Sequence, residues 1–132
     1  MYDMPHRVTY GYSAISFAAG DLTRIIKNPR KGSKGKVRSI NIHATTTFAG
    51  ATTKPRVQVG DGVTATKYAD VDGGALAAGS ALIGRDQASG IAALAIPHVL
   101  TASDGDLTVT FKAATGAGAA GVADVHIEVE WG

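Results

Sequence analysis

"VADVHIEVEWG", Val122 to Gly132, decides the fold class. Val125, Ile127, Val129 and Trp131 fall on one side of an extended chain; Asp124, His126, Glu128 and Glu130 fall on the other. A period of two cannot line one face of a helix, so the stretch reads as a β-strand with one buried and one wet side. "GDLTVTFKA" repeats the rhythm, with Leu107, Val109 and Phe111 inward and Thr108, Thr110 and Lys112 outward. The small-residue run "ATGAGAAG" joins the two as a hairpin or a longer loop.

Working outward, "KVRSINIHATTTF" is a further strand with a defect: Val37 is out of phase with Ile40, Ile42 and Ala44. One extra residue near Arg38 and Ser39 restores the phase, which predicts a β-bulge there. "PRVQVG" and "VTATKYA" read as short strands around the Asp61–Gly62 turn, and "RVTYGYSAISF" and "DLTRII" as strands near the N-terminus. From Gly73 to Leu100 the rhythm is lost, and Pro97 bars a central ladder position, so an irregular excursion followed by an edge strand is expected. No strong helix emerges. The expectation is an all-β chain: a single antiparallel β-sandwich, of jelly-roll or Greek-key type with long loops. A closed barrel ranks second, and the immunoglobulin pattern of Cys–Trp–Cys is missing.

A chain of 132 residues accommodates one domain, 1–132, with residues 1–9 as a candidate N-terminal arm. There is no cysteine, hence no disulfide framework and no thiolate chemistry. The first residues lack a signal-peptide pattern, and no apolar run approaches the length of a membrane span. An intracellular origin is expected.

The net charge of +2 conceals an asymmetry. Leu22 to Gly60 holds nine basic residues and no acid; Asp61 to the end holds three basic residues against nine acids. Six of the bases lie in "KNPRKGSKGKVR": Lys27, Arg30, Lys31, Lys34, Lys36 and Arg38. Two readings compete: the folded chain interleaves its halves and cancels the field, or the segment is a basic finger that docks on an acidic partner.

The segment is not a phosphate loop. In G-x-x-x-x-G-K-[ST] the first glycine would fall at Arg30 and the magnesium-binding hydroxyl at Val37. Nucleic acid is disfavoured, because no aromatic interleaves with the charges and the acidic half would repel phosphates. His6, His43, His98 and His126 have no metal-ligand spacing, and no G-x-S-x-G elbow occurs. The D-x-D pairs Asp70/Asp72 and Asp104/Asp106 fit turn chemistry better than a calcium loop. No enzyme activity and no cofactor are expected.

Short length, absence of cysteine, abundant Ala, Gly, Thr and Val, and an all-β pattern ending in "DVHIEVEWG" make the chain similar to the capsid decoration (cement) proteins of tailed phages. The resemblance implies a structural virion protein, made in the host cytoplasm, that binds the capsid exterior and reinforces contacts between major capsid subunits. It implies a homo-oligomer, dimer or trimer, and gives Lys27–Arg38 a role on an acidic capsid surface. Tyr2 and Met4, in a stretch rich in residue types favoured at contacts, are expected to help the arm pack on a neighbour. The alternative is a receptor- or carbohydrate-binding β-sandwich module of a phage tail or head fibre.

Overall fold

The structure is a computed structural model that describes residues 6–29, 33–86, 95–96, 101 and 105–132. Its strands are β1 (His6–Ser16), β2 (Leu22–Ile26), β3 (Gly35–Ala49), β4 (Arg56–Gly60), β5 (Ala69–Asp72), β6 (Ala81–Asp86), β7 (Ala95–Ile96), β8 (Leu107–Lys112) and β9 (Ala120–Trp131). They form two sheets, ordered β1-β9-β3-β6-β7 and β2-β8-β4-β5.

The pairing identifies the wrap. β1 pairs with β9, β2 with β8, β3 with β6 and β4 with β5, all antiparallel. A long hairpin coiled around itself gives this nesting, which is jelly-roll topology. β7 is an addition of two residues, parallel to β6 at the sheet edge.

The alternation read in β9 is realised. Ala123, Val125, Ile127, Val129 and Trp131 are fully buried, facing Ile40, Ile42 and Ala44 of β3 and the inward residues of the second sheet. From that second sheet come Val57, Val59, Val71, Leu107, Val109 and Phe111, also buried. Each such aliphatic or aromatic side chain gains about 1.5–3 kcal/mol from leaving water. Phe17 joins the layers, with ring centroids 5.3 Å from Phe48 and 6.2 Å from Phe111. The bulge lies where the rhythm breaks: Val37 faces Val129 and Ser39 faces Glu128, leaving Arg38 as the extra residue.

Two elements differ from the sequence reading. "VTATKYA" is not a strand up to Ala69; the chain loops across residues 61–68 because the Asp61 carboxylate accepts hydrogen bonds from the Val63 and Thr64 amides at 2.9 and 2.7 Å. Within the stretch read as irregular, β6 forms by pairing with β3, a long-range partner that local rhythm does not reveal. The segment before β7 lies outside the described residues; β7 itself is an edge strand, as expected.

The arm proposed for residues 1–9 is, from His6 on, part of the protein's own sheet: His6, Arg7, Val8 and Thr9 face Trp131, Glu130, Val129 and Glu128. Tyr2 and Met4 lie outside the described residues. Deleting residues 1–9 is therefore expected to strip the edge from the C-terminal half of β9 and lower the denaturation midpoint of the isolated chain. An unchanged midpoint would return these residues to the status of an arm.

Trp131 fixes the end of β9. Its indole Nε1 donates to the Tyr10 hydroxyl at 3.1 Å, and its ring lies on Gly35. A Cβ at Gly35 would sit 2.5 Å from Trp131 Cζ3. Gly35→Ala should cost about 1–3 kcal/mol by overpacking. Urea denaturation followed by the fluorescence of Trp131, the chain's one tryptophan, measures it.

Candidate interaction surface

The basic segment does not form one surface. Lys27 leaves β2 and meets Asp106, Nζ to Oδ2 at 3.2 Å. Lys36 and Arg38 belong to β3; Lys36 is buried, with 3% of its surface exposed, and Arg38 lies 3.6 Å from Glu130. Lys36 is thus removed from any exposed docking surface, because strand pairing begins at Gly35 and carries it inside. Lys34 is exposed and makes no ion pair among the described residues. Arg30 and Lys31 lie outside the described residues.

The base of the segment is fixed by Asn28. Its amide nitrogen donates to Asp106 Oδ1 at 2.8 Å, and its side-chain Nδ2 donates to the Ser33 carbonyl at 2.9 Å. The Ser33 hydroxyl donates to Asn28 Oδ1 at 2.8 Å. Lys34 and Gly132 exchange backbone hydrogen bonds at 3.1 and 3.0 Å, and the Thr101 hydroxyl accepts from the Gly35 amide at 2.7 Å. Asn28 and Ser33 are therefore held together, and four residues, Pro29 to Gly32, connect them.

Much of the remaining charge is interleaved across the fold. Arg56 on β4 grips both carboxylates of a D-x-D pair on β5, with Nε and Nη2 on Asp70 at 2.9 and 3.0 Å and Nη1 on Asp72 at 3.1 Å. The pair at Asp70/Asp72 is thus an arginine clamp, and Asp106 of the second pair serves Lys27 and Asn28. Arg7 lies near Glu128 and Glu130, Lys112 near Asp21, and Lys67 near Asp61. Such exposed pairs contribute about 0–1 kcal/mol each, so their main effect is on the field. His43 and His126 are exposed on the outer face of β3 and β9, as their phase predicts, and the described residues hold no cluster of three metal-ligating side chains.

The strand directions sort the loops into two ends. Those joining β1–β2, β3–β4, β5–β6 and β8–β9 gather at one end, opposite the basic segment. These four connections, residues 17–21, 50–55, 73–80 and 113–119, contain one acid, Asp21, and one base, Lys54. They bond to one another: Thr52 N to Thr115 O at 3.0 Å, Ala114 N to Phe17 O at 2.8 Å, Gly73 N to Pro55 O at 2.9 Å. The connections at one end are thus bonded to one another and carry few charges, while the other end carries the basic segment and the loop over residues 61–68.

The side between β1 and β2 is a feature that the sequence reading missed. Val8, Tyr10, Tyr12 and Leu22 are half-buried there against the core, and Tyr12 stacks edge-on to Phe111 with centroids 5.2 Å apart. Arg24 shares the inward side of β2, opposite fully buried Val109, yet is itself exposed. Burial and the neighbouring Tyr10 raise the Tyr12 phenol above its ordinary 10.0, and the Arg24 charge acts in the opposite sense. The signal was present in "LTRII": a cation in the apolar phase of a strand.

No protein-family model, curated protein or solved structure matches the chain. Its class is set by its own geometry: a jelly-roll β-sandwich.

Acid should loosen this arrangement at its loops. The Thr64 and Val63 amides, then Lys67, hold the Asp61 carboxyl down at about 2 against an ordinary 3.8. Asp21 is lowered by Lys112 and the Ala113 amide, and Asp106 by the Asn28 amide and Lys27. A depressed carboxyl stabilises the fold above its unfolded value and loses that contribution as pH falls through the folded one. Thermal midpoints should therefore be level above about pH 5 and drop as pH falls from about 4 to 2. Asp61→Asn should flatten part of that drop; an identical acid profile would remove Asp61 from the account.

Proposed function

We propose that this chain is a structural binding protein of a virion surface, a capsid decoration protein that docks on an acidic face of the shell and ties neighbouring subunits together. The observation that supports the reading is the polarity of the sandwich: connections at one end that carry few charges, and an opposite end whose basic segment springs from a pinned base at Asn28 and Ser33. Jelly-roll folds serve in capsids and in lectins alike, so topology supports both the shell reading and its alternative. The aromatics favour the shell. A sugar platform needs an exposed ring, whereas among the described residues Trp131 and Tyr68 are buried and Tyr10 and Tyr12 half-buried. Homo-oligomers at local symmetry axes are part of the same proposal.

The geometry also selects the residues to test. Lys27 and Arg38 already have carboxylate neighbours and Lys36 is buried, so the bases left to test are exposed Lys34 and, outside the described residues, Arg30 and Lys31. Converting these three to Ser should leave the denaturation midpoint unchanged and reduce attachment to particles, most strongly at low salt, where the charges are least screened. Copy number in purified particles is the direct measurement. A shell-wide role requires stoichiometry comparable to the major capsid subunit; a few copies or none would sink it. Attachment indifferent to both the triple variant and salt would shift docking to the charge-poor end.

A further inference from the structure

β2 is the last strand of its sheet, and β8 is its neighbour among the described residues. An edge strand is a template for another strand unless something on it forbids pairing. On β2 that something is Arg24. Leu22, Arg24 and Ile26 face the same side as Phe111, Val109 and Leu107, so a guanidinium occupies the apolar phase. Its Nη1 donates to the Thr23 carbonyl at 3.1 Å, and it makes no ion pair among the described residues. On the opposite side of the same strand Ile25 is 60% exposed, beside Thr108. Ile25 and Val63 are the large apolar side chains exposed among the described residues.

The charge decides what can lie here. A second copy of β2, paired antiparallel about its centre, would set the two Arg24 groups against each other. A wholly apolar strand would cover the guanidinium without a partner, which is costly. A strand that offers a carboxylate at that position turns the obstacle into a charge-assisted, bidentate contact. Its flanking side chains would cover Ile25 on one side and Leu22 on the other. One residue thus rejects the wrong strands and accepts one kind.

We propose that the edge of β2 receives an extended segment of an acidic partner, with a Glu or Asp opposite Arg24 and apolar residues on either side. The inference rests on the reading of this chain as a binding protein and adds the chemistry of the bound segment. β1, the other strand on this side, is a poorer template. It carries a bulge between Tyr12 and Ile15, where Ala14 has a φ of 52°.

The probe is a blocked heptapeptide, Lys-Val-Val-Glu-Thr-Val-Lys, compared with versions carrying Gln or Lys in place of Glu. Each is titrated against the full chain, with backbone hydrogen exchange read strand by strand. The Glu peptide should bind about tenfold more tightly than the Gln peptide, as expected for a hydrogen bond to a charged group. It should slow exchange in Leu22–Ile26, and Arg24→Glu should transfer the preference to the Lys peptide. Because Arg24 is exposed, the variant should keep the wild-type circular dichroism. Equal binding of the Glu and Gln peptides, no binding by any of them, or protection in His6–Ser16 instead would overturn the proposal. So would protection of Leu22–Ile26 that grows with protein concentration alone, which would assign the edge to a second copy. No capsid enters this experiment, so its failure leaves the virion reading standing, and particles that lack the chain leave this one standing.

Discussion

The jelly roll depends on β9 being wet on one face, dry on the other and paired along both edges. β1 and β3 flank it, and its inward residues form the floor of the core. Trp131 at its end is the most constrained of them. It reaches Tyr10 on β1 through a hydrogen bond and rests on Gly35 at the start of β3. Glycine is required at that point by space, since any side chain there meets the indole. The same contact fixes where β3 begins, and so carries Lys36 into the protein while Lys34 stays in water.

That boundary redistributes the charge. In sequence, the basic segment is a uniform run; in the fold, it is cut by the first residue of a strand. Lys34, just before Gly35, is exposed, and the residues after Gly35 are committed to the sheet. Glu130, placed by β9 beside the first residues of β3, then lies close to Arg38. The acidic half of the chain thus neutralises part of the basic half through strand pairing. Interleaving accounts for Lys27, Arg38 and Arg56, and the docking proposal concerns Arg30, Lys31 and Lys34.

Legibility followed the range of the interactions. β9, β8, β4 and β1 could be read because each carries its alternation within its own residues, and the β3 bulge because an extra residue leaves a phase error in one strand. β6 could not be read: its support comes from β3, some forty residues away in sequence. The turn at Asp61–Gly62 is legible, but "VTATKYA" after it reads as strand because its residues are strand formers, while the deciding interaction is a single carboxylate, Asp61, capping two amides. Of the candidate site, the charge was legible and its neutralisation was not, since Asp106 and Glu130 reach their cations only through tertiary pairing.

The edge strands β1 and β2, on one side of the sandwich, show two ways of guarding an unpaired edge. A sandwich has edges that a closed barrel lacks, and each must be made safe against indiscriminate pairing. β1 does so by geometry: its bulge interrupts the regular backbone between Tyr12 and Ile15. β2 remains straight and is guarded by charge, through Arg24. The two devices differ in what they permit. A bulge excludes every straight strand, whereas a cation excludes only those that cannot answer it. Selectivity is therefore available on β2 and not on β1, although the strands lie on the same side of the sandwich.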